Sequence, residues 1–102
     1  MSRHMLPSPD GAEPGTETLV GWDTQMLTYY LTIEPSDDSL AEPVYLGREH
    51  EECSSLVYFL LALTRHKLHV PDGLVAELYF DRELGRANTE TDWRGGDPIQ
   101  IA

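Results

Sequence analysis

The run Ser54-Ser55-Leu56-Val57-Tyr58-Phe59-Leu60-Leu61-Ala62-Leu63-Thr64-Arg65 constrains this chain more than any other stretch. It is the longest apolar run, with hydroxyl residues at its start and Arg65-His66-Lys67 at its end. Those are the marks of two helix ends: a side-chain acceptor for the first N–H groups, and cations at the negative pole of the macrodipole. Ser55 is the expected cap. A run of about a dozen residues falls short of the roughly 20 that cross a bilayer, so this is a core helix. Its apolar positions go nearly all the way round. That pattern predicts burial by a sheet on one side and by something else on the other.

Before this helix, the chain reads as strands. Leu27 to Ile33 alternates cleanly, with Leu27, Tyr29, Leu31 and Ile33 on one face and Thr28, Tyr30 and Thr32 on the other. Glu17 to Trp22 precedes it as a shorter strand, and Gly21-Trp22-Asp23-Thr24-Gln25 supplies the turn of a hairpin. Val44-Tyr45-Leu46, closed by Gly47, is a third strand. After the helix, Val70-Pro71-Asp72-Gly73 starts a second one, with Pro71 or Asp72 at its first positions. Leu74, Val75, Leu78 and Tyr79 form its apolar face, Glu77 and Asp81 point away, and Gly85 stops it.

The expected fold is therefore α+β, in the order β-β-β-α-α: a three-stranded antiparallel meander with two helices on one face. Residues 1–16 carry Pro7, Pro9 and Pro14 without periodicity and read as a flexible arm. Its His4-Met5 pair is of the sort that cloning leaves behind, and is set aside with it. Residues 17–84 are the single domain, and the polar residues 85–102 are a tail that Trp93 and Ile99 could dock.

The pattern Val20-Gly21-Trp22-Asp23, Thr28-Tyr29-Tyr30-Leu31, Asp37-Asp38, Val44-Tyr45-Leu46-Gly47 continues with Ser55, Leu56, Leu60, Val70-Pro71, Leu74, Leu78 and Asp81-Arg82. Across residues 19–82 it resembles a group of small acidic bacterial proteins catalogued as hypothetical. It departs from them at residues 48–54, where a charged segment with Cys53 replaces a looser linker. The resemblance implies this fold and a bacterial setting. It implies no activity, no catalytic residue and no cofactor.

Composition narrows the partners. Eighteen acids against seven bases leave a net charge of −11, which repels nucleic acid and anionic membrane and favours solubility and basic partners. One cysteine, Cys53, excludes an internal disulfide framework, and a free thiol suits a reducing cytoplasm. With neither a signal-type segment nor a membrane span, the expectation is a cytoplasmic protein.

Chemistry is thinly signalled. His66, His69 and Asp72 recur at three-residue spacing, and His50 stands three before Cys53, but the first group straddles a helix end. The plainer reading makes Arg65, His66, Lys67 and His69 complements of a helix C-terminus. The carboxylate pairs Asp37-Asp38, Glu51-Glu52 and Asp81 with Glu83 have only polar neighbours, so none is set up for acid–base work. Cys53 lies between Glu52 and Ser54, and the acidic pair beside it opposes a reactive thiolate. An enzyme is not expected, and neither metal nor cofactor is implied.

Two surfaces remain. Two helices cover one face of a three-stranded sheet, leaving Trp22, Tyr30 and Tyr45 as an aromatic patch on the open face, for a protein partner or a second copy of the chain. The plainer reading is aromatics paired across strands. The alternative surface is acidic: Glu34, Asp37, Asp38, Glu42, Glu49, Glu51 and Glu52 against the lone base Arg48. Held rigidly, these could imitate a nucleic acid and block a basic groove, as small acidic proteins of mobile elements do. A solvated loop is the plainer account.

Overall fold

A computed structural model describes residues 1–102. Strands β1 (Arg3–Leu6), β2 (Glu17–Asp23), β3 (Thr28–Glu34) and β4 (Val44–Leu46) come first. Helices α1 (Leu56–Arg65) and α2 (Leu74–Glu83) follow, then β5 (Glu90–Asp92) and β6 (Ile99–Gln100). The fold is α+β, with one mixed six-stranded sheet in the order β4-β3-β2-β1-β5-β6. The meander β2-β3-β4 is present, but as one half of a larger sheet. No helix is long and apolar enough to cross a membrane.

The terminal segments correct the sequence-based boundaries. β1 lies inside the sheet, antiparallel to β2 and parallel to β5, with His4 opposite both Val20 and Thr91. Residues 1–16 are thus not simply an arm, and 85–102 is not simply a tail, because β5 and β6 complete the sheet and Trp93 is buried in the core. Arg3 to Leu6 does alternate exposed, buried, half-buried, buried. Four residues beside a Pro- and Gly-rich stretch were too few to stand out, and their pairing partners lie far along the chain.

One face of the sheet carries the core. Leu6, Val20, Trp22, Tyr29, Leu31 and Ile33 meet Phe59 and Leu63 of α1 and Leu74 and Leu78 of α2. Burial of each such side chain contributes about 1.5–3 kcal/mol. Tyr29 is the hub: its ring stacks on Phe59 at 5.1 Å and meets Trp22 edge-on at 4.9 Å, and its hydroxyl donates to the Leu78 carbonyl at 3.1 Å. Burial pushes that phenol up to about 12.

The β2–β3 turn is held by Asp23, whose Oδ1 accepts from the backbone N–H groups of Gln25 and Met26. Leu27 then takes a positive φ of 53° and is exposed, so it does not join the core face as its parity suggests. α1 starts where expected, with Ser55 Oγ accepting from the Tyr58 N–H at 3.5 Å. α2 starts later than Pro71 or Asp72, behind Gly73 at φ 93°. A glycine is the fitting residue for that left-handed entry.

Candidate functional site

The three aromatics expected on the open sheet face do not form a patch. Trp22 pairs with Tyr29 and shares its core-facing side, whereas Tyr30 pairs with Gly21 on the opposite side. Strand parity separates them, and Trp22 is buried beneath the helical layer. Tyr30 does face the open side, beside Tyr45 across β3 and β4, but it too is buried. Its hydroxyl donates to the Ser2 carbonyl at 2.5 Å, and its ring fills the space left by Gly21, where an added Cβ would stand 2.8 Å from the ring. Burial raises its phenol strongly. Only Tyr45 is exposed, and the Arg48 guanidinium covers it at 3.5 Å from the ring centre.

The acidic residues are all exposed, at the end of β3 and in the segments before and after β4, with the Glu51 N–H bonded to the Met26 carbonyl of the β2–β3 turn. Glu34 ends β3, while Asp37, Asp38 and Glu42 lie in the loop to β4, without helix or strand. Glu49, Glu51 and Glu52 belong to the segment between β4 and α1. Glu52 Oε1 accepts from the N–H groups of Arg48 and Glu49, and Glu51 stands 3.6 Å from His50. In this segment the Cys53 N–H donates to Thr28 Oγ1, and burial together with the Glu52 charge pushes the thiol up. No group of three or more His, Cys, Asp and Glu side chains is placed to hold a metal ion.

A polar chain that the sequence did not suggest runs through the core between β1, α2 and β5. His4 Nε2 lies 2.6 Å from Asp81 Oδ2, and the Trp93 indole N–H donates to His4 Nδ1 at 3.0 Å. His4 is 2% exposed and Asp81 1%. Indole nitrogen can only donate, so Nδ1 must carry the lone pair and Nε2 the proton that faces the carboxylate. Arg86 Nη1 completes the chain, 3.4 Å from Asp81 Oδ1 and 2.6 Å from Glu77 Oε2. These groups line a cleft of about 390 Å³ together with Thr89, Thr91 and Gln100.

Such a His–Asp pair invites a catalytic reading, but each imidazole nitrogen already has a partner. His4 has no nitrogen left to take a proton from a substrate or to bind a metal. The chain instead ties three elements together, with the buried carboxylate satisfied by an imidazole N–H and a guanidinium. Asp81 does not point away from the apolar face of its helix. It follows Leu74 and Leu78 at i+7 and i+3, and that spacing was the available signal for it.

Both helices expose large apolar side chains. Val75 and Tyr79, expected on the apolar face of α2, are exposed together with Phe80 and Leu84, and the most exposed run on α1 is its outer side. Phe59 and Leu63 face the sheet, as the amphipathic geometry requires, and Leu56 and Leu60 flank them. The other side presents Val57, Tyr58 and Leu61, which are 68%, 71% and 50% exposed. At 3.6 residues per turn they occupy one continuous stripe. The sheet covers one side of this helix; nothing in the chain covers the other. Searches found no matching protein-family model, no matching curated protein and no matching solved structure.

Proposed function

We propose that this protein works by contact with a protein rather than by catalysis, and that the outer face of α1 carries the contact. The exposed stripe of Val57, Tyr58 and Leu61 is the observation behind this reading. Single exposed apolar residues are ordinary, but neighbouring large ones on a regular helix are the usual composition of an interface. The helix is anchored by Phe59 and Leu63, so its outer side chains are presented on a rigid element. A protein bound to the stripe supplies the second covering that the all-round apolar pattern of α1 calls for. The saturated bonding of His4 supports the non-catalytic half of the proposal. The bacterial setting implied by the resemblance of residues 19–82 belongs to the same reading.

The test is a photo-crosslinking amino acid placed at Tyr58 and, in a separate chain, at the fully exposed Leu40 of the acidic loop. Expressed in its own cells, the Tyr58 chain is expected to give a discrete adduct that the Leu40 chain lacks. No adduct at Tyr58, or the same adducts from both sites, would refute the contact reading.

A further inference from the structure

The surroundings of the stripe indicate what covers it. Its two ends carry opposite charge. Exposed Glu49, Glu51 and Glu52 precede the helix, and exposed Arg65, His66 and Lys67 end it. This basic end is unusual in a chain of net charge −11. Arg82, Arg86 and Arg94 are bound in ion pairs within the chain, and Arg48 lies over Tyr45. Arg65 and Lys67 take part in none of these. The carboxylate near this end, Asp10, sits beside His69 at 3.6 Å.

An apolar centre between an acidic end and a basic end is complementary to itself when turned end for end. We infer that the occupant of the α1 face is the α1 of a second copy, packed antiparallel about a two-fold axis near the level of Phe59. This rests on the contact reading above and names its partner. In that arrangement Val57 packs on the partner's Leu61 and Leu61 on the partner's Val57, with the two Tyr58 rings near the axis. The same operation sets the Arg65–Lys67 end of each copy against the partner's Glu49–Glu52 segment. A two-fold contact uses one patch twice, so each complementary pair is made twice.

Opposite-charge ends also fix direction. A parallel pairing would set acid against acid and base against base, which costs rather than contributes. A contact one helix wide is small, below about 1,200 Å² in total, and belongs to the weak or transient class. The overall negative charge of both copies weakens it further at low ionic strength. The dimer is therefore expected to form with rising concentration and to dissociate on dilution.

Sedimentation equilibrium from micromolar to millimolar concentration, at physiological ionic strength, tests the inference. Wild type is expected to pass from one copy to two. The Arg65→Glu/Lys67→Glu chain and the Glu49→Lys/Glu51→Lys chain are each expected to bind themselves at least tenfold more weakly. Mixed in equal amounts, the two variants are expected to regain the mass of two copies. Thermal unfolding of each variant alone checks that these exposed changes leave the fold intact. A wild type that stays monomeric to millimolar concentration, or charge reversals that leave association unchanged, would overturn the second-copy inference. The Tyr58 adduct then separates the two levels of argument. An adduct heavier or lighter than two copies leaves the contact reading standing with another partner, and no adduct removes both.

Discussion

The interior of this protein is polar where the chain His4–Asp81–Trp93 runs, and its surface is apolar where α1 turns Val57, Tyr58 and Leu61 outward. The two regions exchange the usual places of polar and apolar groups, for different reasons. Inside, every polar atom of the chain from Trp93 to Asp81 meets a complementary one, so burial is tolerated and three separate elements are fixed to each other. On α1, large apolar side chains are left in water without compensation. The first arrangement is complete within one chain; the second has no covering within it. Polarity alone would have drawn attention to the histidine, while satisfaction of the groups leaves the helix as the region with unmet surface.

The sharpest way to break this comparison is to open the interior region. His4→Ala removes the donor that Asp81 accepts from and the acceptor that the Trp93 indole needs. A carboxylate only 1% exposed is then left with the 3.4 Å contact to Arg86. Breaking a buried pair in this way costs about 3–5 kcal/mol, a large part of the stability of a domain this size. Urea unfolding measures it, and a loss under about 1 kcal/mol would show that the chain is not structural.

A gentler probe is alkaline titration. The Tyr29 phenol is held neutral by burial, at about 12 in the fold against 10.0 for the free group. Its contribution is fully present below pH 10. Above that, the unfolded chain loses the proton first, and stability falls as pH rises from 10 towards 12. Tyr30 acts in the same direction. Ionisation of the two buried tyrosines, Tyr29 and Tyr30, and loss of structure should therefore rise together through that window. Ionisation of all the tyrosines before any unfolding would show that the Tyr29 hub is open to water.

The smallest expected effect is on the outer stripe. Val57→Ser/Leu61→Ser, read by the same urea titration on dilute protein, should shift stability by no more than about 0.5 kcal/mol per site, as for exposed positions. A loss of several kcal/mol would mean that these side chains are core after all.

Much of this fold was legible in the sequence. The alternation of Leu31 and Ile33 with Thr28 and Thr32, the Asp23 turn, Ser55 as a cap and the Gly85 stop are all local signals, and each is present in the structure. What escaped was non-local. β1 is four residues long and β6 two, and their stability comes from neighbours distant in the chain. Trp22 is adjacent to an open-face position in sequence, yet parity sends it beneath the helices. The His4–Asp81 pair spans 77 residues and has no spacing to announce it. The outer stripe is different: its residues were plain in the run from Ser54 to Arg65, and their exposure was not, because an all-round apolar helix reads as core from both sides.

The most direct measurement compares the solution mass of wild type with that of Val57→Ser/Leu61→Ser, side by side across the same concentration range. The account predicts that wild type moves from one copy towards two while the double variant, equally folded, stays at one. Equal masses at every concentration would contradict it.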